Sequence, residues 1–102
     1  RRQRQMCIRD SVYLELIRRG YSVSIGKVGE LEIDFIAEKS GSKVYYQVSA
    51  SVLDPVTFER EITPLRRVQD NYPKFIITMD DISSDNEGIQ QVNVVDFLLE
   101  NA

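Results

Sequence analysis

Apolar positions recur along this chain in two rhythms, one helical and one alternating. From Val12 to Arg19 the spacing is helical, with Val12, Leu16, Tyr13 and Ile17 filling one arc of about 140°. Arg18 and Arg19 fall in the last turn, where cations suit the helix dipole, and Gly20 supplies a left-handed cap. Tyr21 to Ile25 alternates apolar and polar residues, as a half-exposed strand does. Gly26 and Gly29 bracket a turn, and Leu31–Ala37 reads as a second strand. After a turn at Lys39–Ser42 comes a third, Lys43–Ala50, rich in Val and Tyr. Asp54-Pro55 predicts a helix start, with Asp as N-cap and Pro at the first helical position. Pro64 predicts a break near Ile62 and a second short helix through Val68. Lys74–Met79 is a fourth strand, Ser83–Gly88 a polar loop, Gln90–Val94 a fifth strand and Val95–Asn101 a closing helix. The predicted order is αβββαββα, an α/β fold with a mixed central sheet of about five strands flanked by helices.

Composition narrows the chemistry. The chain has 102 residues, 13 Lys and Arg, 16 Asp and Glu, one Cys and no His. That length supports one domain. One cysteine forms no disulfide framework, and without His neither a zinc site nor a Ser-His-Asp or Cys-His centre can be assembled. No apolar run is long enough to span a membrane as a helix, so no membrane partner is expected. A net charge of −3 argues against coating nucleic acid by bulk charge.

The basic residues are uneven: Arg1, Arg2, Arg4 and Arg9 lie in the first nine positions. A nucleic-acid-binding arm has this look, but so does a foreign segment. The stretch RRQRQMCIRDS, Arg1 to Ser11, resembles one reading frame of a transposase adapter used in sequencing libraries, over eleven consecutive residues. Residues 1–11 are therefore read as an adapter-derived artefact, and 12–102 as a domain cut from a longer protein of metagenomic type. Four basic residues and one acid fall in 1–11, so the remainder carries 9 basic and 15 acidic residues, a net charge of −6. The case for a basic arm goes with them, and nucleic-acid binding then needs a local patch on an acidic domain.

Candidate chemistry gathers on the second and third strands. Alternation puts Leu31, Ile33 and Phe35 on one face of the second strand, with Glu32 and Asp34 on the other. On the third, Val44, Tyr46 and Val48 share a face opposite Lys43, Tyr45, Gln47 and Ser49. A hairpin turning at Ser40-Gly41 brings Asp34 beside Gln47. A strand carboxylate next to a second oxygen-bearing side chain is a common way to build a Mg²⁺ site. Asp34 sits in an apolar stretch, where a carboxylate needs a partner or a task. Glu32 is as well explained by a solvated face. Asp80, Asp81, Asp85 and Glu87 lack EF-hand spacing and read as a solvated loop, and Arg66 and Arg67 as a solvated helix face.

The run YLELIRRGYSVSIGKVGELEIDFIAEKSGSKVYYQVSASV resembles the PD-(D/E)XK nuclease core: a helix with an acid, a Gly-aromatic-x-Val strand, EIDFIA, then the strand that carries acid-x-Lys. More narrowly, it resembles the C-terminal domain of unknown function of prokaryotic P-loop (AAA-type) ATPases. Thr57-Phe-Glu-Arg-Glu61, Asp70-Asn-Tyr-Pro-Lys74 and Asp96-Phe-Leu-Leu99 add to the likeness, which covers Val12 to Glu100. The resemblance implies a restriction-endonuclease-like core. Asp34 matches the superfamily's metal-binding Asp, Gln47 stands where the second acid would be, and Ser49 stands where the catalytic Lys would be. The helix acid maps to position 10, so Asp10 is a stand-in from the adapter-like segment. Glu15 is the other acid of that helix, expected to face solvent and pair with Arg18 or Arg19.

Cleavage by this superfamily needs a metal held by two acids and a Lys. Gln47 offers a carbonyl oxygen without charge, and Ser49 cannot replace an ammonium. Lys43 lies about 13 Å along the strand from Gln47, and Lys27, after Gly26, is the other lysine, placed to approach from the neighbouring strand. The expectation is a nuclease-derived, catalytically degenerate, cytoplasmic module that binds nucleic acid or a partner, its own N-terminal ATPase included. Mg²⁺ enters only if the domain is active, with Asp34 and Gln47 as ligands, and ATP only through the ATPase domain. The alternatives are an active metal-dependent DNA nuclease and a structural docking domain.

Overall fold

The computed structural model describes residues 2–100, with side-chain surroundings from residue 7 onward. Three helices and six strands follow the order α1 (Arg2–Arg18), β1 (Ser22–Val28), β2 (Leu31–Lys39), β3 (Ser42–Val48), α2 (Pro55–Arg66), β4 (Lys74–Thr78), β5 (Ser84–Asn86), β6 (Ile89–Asn93) and α3 (Val94–Leu99). They build one mixed sheet in the order β1-β2-β3-β4-β6-β5. β1, β2 and β3 are antiparallel neighbours, β3, β4 and β6 are parallel, and β5 pairs antiparallel with β6. The α/β class and the mixed, helix-flanked sheet expected from the pattern are present.

The helices divide between the two faces. Ile8, Val12 and Leu16 of α1 and Val94 and Phe97 of α3 pack on Phe35, Ala37, Tyr46, Val48 and Ile77. Ile62 and Leu65 of α2 pack on Ile33, Tyr45, Ile76 and Ile89 on the other side. β3 and β4 feed both cores, so their apolar residues run almost without interruption. The Asp54 carboxylate caps α2 by accepting the Thr57 N–H at 3.2 Å, and Asn93 caps α3 by accepting the Val95 N–H at 2.8 Å.

Several boundaries and phases differ from the expectation. β5 was expected to be part of a polar loop. Glu87 and Gly88, with φ of 55° and 87°, make the tight turn that folds Ser84–Asn86 back onto β6. α2 runs through Pro64 without a break. The proline falls in the last turn, where a missing N–H costs one bond, and buried Ile62 and Leu65 hold the helix on the sheet. β1 continues through Gly26 to Val28. The closing helix ends at Leu99, and Asn101 lies outside the described residues.

α1 is also rotated from its expected phase. Its buried stripe is Ile8, Val12 and Leu16, while Tyr13, Leu14 and Ile17 are 42%, 64% and 44% exposed. Residues 7–11 of the adapter-like segment continue this helix, and Ile8 completes its apolar stripe. The side chains of Arg2 and Arg4, and all of Arg1, lie outside the described residues.

Candidate functional site

Asp34 sits where β2 and β3 stop pairing. Regular partners run from Lys39↔Ser42 to Phe35↔Tyr46, and Asp34 with Gln47 would be next. There, side chains take over from the ladder. The Asp34 N–H donates to Gln47 Oε1 at 2.8 Å, and the Val48 N–H donates to Asp34 Oδ2 at 2.8 Å. On the other edge of β2, Ser24↔Ile36 is followed by Gly26↔Ile33, so β2 carries one residue more than β1 across this stretch. Such a bulge bends a strand and re-aims its side chains. It turns Ile33 into the α2-side core while Phe35 and Ala37 enter the α1-side core. This corrects the expected grouping of Ile33 with Phe35 on one face.

Gln47 is 3% exposed and used at both ends, since its Nε2 donates to the Glu61 carbonyl at 2.9 Å. It therefore ties β2 to α2. Ser49 is buried, and its hydroxyl donates to the Ser51 carbonyl at 3.0 Å. The third group of the expected site is thus held in the β3–α2 turn. Position 10 does not reach Asp34: Asp10 is exposed, and Arg9 turns inward instead. Arg9 Nη1 lies 3.2 Å from Asp34 Oδ1, with the guanidinium 5.5 Å from the Phe35 ring centre. The cause is the rotated helix phase described above. Glu15 pairs with both Arg18 and Arg19, but its side chain is half-buried instead of facing solvent as expected, and the two guanidinium groups pull its carboxyl down to about 2.

Glu61 is the residue the sequence reading did not single out. It lines, with Glu32, Asp34, Gln47 and Arg60, a cleft of about 200 Å³. Burial, then the neighbouring Asp34 charge, pushes its carboxyl up to about 7, while Arg60 and Arg9 oppose the rise. Burial also raises Asp34, against the Val48 N–H and Arg9, which favour its charged form. A missable signal existed: Glu61 follows the α2 N-cap by seven residues and precedes buried Ile62, so the helix must carry it close to the sheet.

As a Mg²⁺ site this arrangement fits poorly. Mg²⁺ takes an octahedral set of oxygens and keeps several waters. Here Gln47 Oε1 accepts a backbone N–H, Asp34 Oδ2 accepts the Val48 N–H, and Asp34 Oδ1 is met by Arg9 of the adapter-like segment. Among the described residues no group of three His, Cys, Asp or Glu side chains is placed to hold a metal ion. Lys27 stands opposite Glu32 in the β1–β2 register, and Lys43 pairs with Glu38; neither lines the cleft.

The remaining sequence candidates have other duties. Asp80 is buried, not solvated: its carboxylate accepts the Val52 N–H at 2.9 Å and fixes the segment after β3. Arg66 reaches Glu59, Asn86 and Glu87, tying α2 to the β5–β6 turn. Tyr45 and Tyr46 are buried, so neither offers an open face for stacking.

No family model matches the chain, and no solved structure matches it. A protein of Haemophilus influenzae (strain Rd), bearing the name "Uncharacterized protein", is 40% identical over 90 residues. The match takes in 87% of this chain and 22% of that protein, so the chain spans about a fifth of its relative's length. Among the described residues no helix is long and apolar enough to cross a membrane.

Proposed function

We propose that residues 12–102 are a nuclease-derived, catalytically degenerate module with a restriction-endonuclease-like core, the C-terminal part of a longer P-loop ATPase of the AAA type. Its role is to bind nucleic acid or a partner, its own ATPase domain among them. The observation that carries this reading is the use of Gln47. The side chain at the second-acid position is a strut between β2 and α2, both of its ends spent on backbone groups. Ser49, at the lysine position, is spent on a turn, and the cation that residues 12–102 bring to the Asp34 cleft is Arg60, Arg9 belonging to the adapter-like segment. The parting of β2 and β3 around an inward carboxylate supports the nuclease likeness. The much longer relative supports the module's being one part of a larger protein.

Incubating the purified chain with DNA and RNA in Mg²⁺ or Mn²⁺ tests it. No cleavage above that of an Asp34→Ala control is expected. Metal-dependent cleavage that disappears in Asp34→Ala overturns degeneracy in favour of an active nuclease, the alternative favoured by Glu61 as a second carboxyl across the cleft. A docking role is favoured by the outward apolar face of α1, where Leu14 and Ile17 stand exposed.

A further inference from the structure

A cleft of about 570 Å³ lies at the opposite end of β2 and β3 from Asp34, between the β2–β3 turn and the α1–β1 junction. Its lining is polar: Ser22, Lys39, Ser40, Gly41, Ser42 and Lys43, with Glu38 as the acid. The two lysines are not equivalent. Lys39 Nζ donates to the Arg19 carbonyl at 2.8 Å and lies 4.6 Å from the Tyr21 ring centre. It offsets the negative C-terminal end of α1, which would otherwise repel an anion. Lys43 is held loosely. Its Nζ is 3.6 Å from Glu38 Oε2, with side chains 35% and 55% exposed. A surface pair of this kind is weak, so another anion can displace it.

The turn adds neutral donors. Ser22, Ser40 and Ser42 are exposed. Ser40 and Gly41, with φ of 52° and 81°, form the tight turn, and Gly41 has open space where a side chain would stand. Outside the cleft's own lining but beside the lysine, Tyr72 of a neighbouring smaller cavity is 40% exposed, with Lys43 Nζ 5.9 Å from its ring centre. A partly exposed ammonium, exposed hydroxyls and an accessible aromatic ring are what a single strand's phosphate and base require. The two smaller cavities around Lys74 do not compete, because its buried ammonium already donates to Asp70 O, Asp70 Oδ1 and Tyr72 O.

We infer that this cleft binds a phosphate group of single-stranded nucleic acid, held by Lys43 and the Ser40–Ser42 turn, with Tyr72 stacking a base. The choice of nucleic acid as the source rests on the function proposed above; the phosphate chemistry does not. Lys43 lies about 13 Å along β3 from Gln47, so this cleft and the Asp34 cleft are separate.

Nuclear magnetic resonance titration of the whole chain tests this, with inorganic phosphate in one arm and oligothymidylate of about six nucleotides in the other. Both probes are expected to shift the Ser40–Lys43 amides, and the oligonucleotide to shift Tyr72 as well. Lys43→Gln weakens oligonucleotide binding about fivefold and lowers the slope of log affinity against log salt by about one. Tyr72→Ala weakens the oligonucleotide and leaves phosphate binding unchanged. The Lys43 variant also separates the cleft from the arginine-rich first nine residues. Phosphate binding without oligonucleotide binding overturns nucleic acid as the source. No shift at Ser40–Lys43 with either probe, or binding indifferent to Lys43→Gln, overturns the site. The cleavage assay depends on Asp34 and not on Lys43, so each reading fails by its own measurement.

Discussion

Asp34 and Gln47 replace one another's missing ladder bonds: the Gln47 side chain accepts from the Asp34 backbone, and the Asp34 side chain accepts from the backbone of Val48. The strands can part at this point because neither buried N–H is left without an acceptor. The same parting opens the cleft to Glu61. Gln47 is thus a condition of the site's shape, whatever chemistry the site retains.

Changing Gln47 therefore changes stability in a diagnostic way. Gln47→Ala strands the Asp34 N–H and the Glu61 carbonyl and opens a void, at a cost of about 2–4 kcal/mol in urea unfolding. Gln47→Glu supplies a carboxylate at this position but turns an oxygen toward the Glu61 carbonyl, beside Asp34. Its loss of stability should be larger at pH 8 than at pH 5, where protonation returns a donor. Equal losses at the two pH values would show that the bond to the Glu61 carbonyl does not matter.

Glu61 sets a second pH dependence. Its folded pKa, about 7, lies above the ordinary 4.5, so the folded protein holds a proton there that the unfolded chain releases. The contribution is complete below about 4.5 and is lost as pH rises through about 7. Glu61→Gln keeps the neutral shape and removes the titration. The wild-type chain should lose about 2 kcal/mol relative to Glu61→Gln between pH 5 and pH 8, a partly exposed carboxyl giving less than the full linkage value. Parallel stability curves for the two proteins would rule out the raised pKa.

Gly26 is required by contact, not by backbone conformation. A Cβ there would stand 2.5 Å from Ile36 Cδ1 and 2.9 Å from Ile36 Cγ1. Gly26→Ala should cost about 1–3 kcal/mol. Ile36→Val removes the Cδ1 methyl, so in the double variant the two losses should fall short of their sum by about 1 kcal/mol. Strict additivity would mean that β1 shifts away from β2 instead.

What the sequence by itself determined here is local or periodic. Alternation predicts strands over Leu31–Ala37 and Lys43–Ala50, close to the observed Leu31–Lys39 and Ser42–Val48, and a hairpin at Ser40-Gly41 is enough to bring Asp34 beside Gln47. Asp54-Pro55 marked the start of α2, because a cap and a first-turn proline act within one turn. Three features needed the assembled tertiary structure. The phase of α1 is not legible in the sequence because Tyr13, Leu14 and Ile17 are as apolar as its buried stripe, and the sheet alone selects which stripe is covered. Pro64 stayed helical because packing of Ile62 and Leu65 outweighs one lost bond at the helix end. Glu61 came to face Asp34 through a crossover helix, a meeting of residues 27 positions apart that no spacing rule specifies. Its burial, and the proton it holds, arise only when α2 closes on the sheet, because burial penalises charge only after water has been excluded.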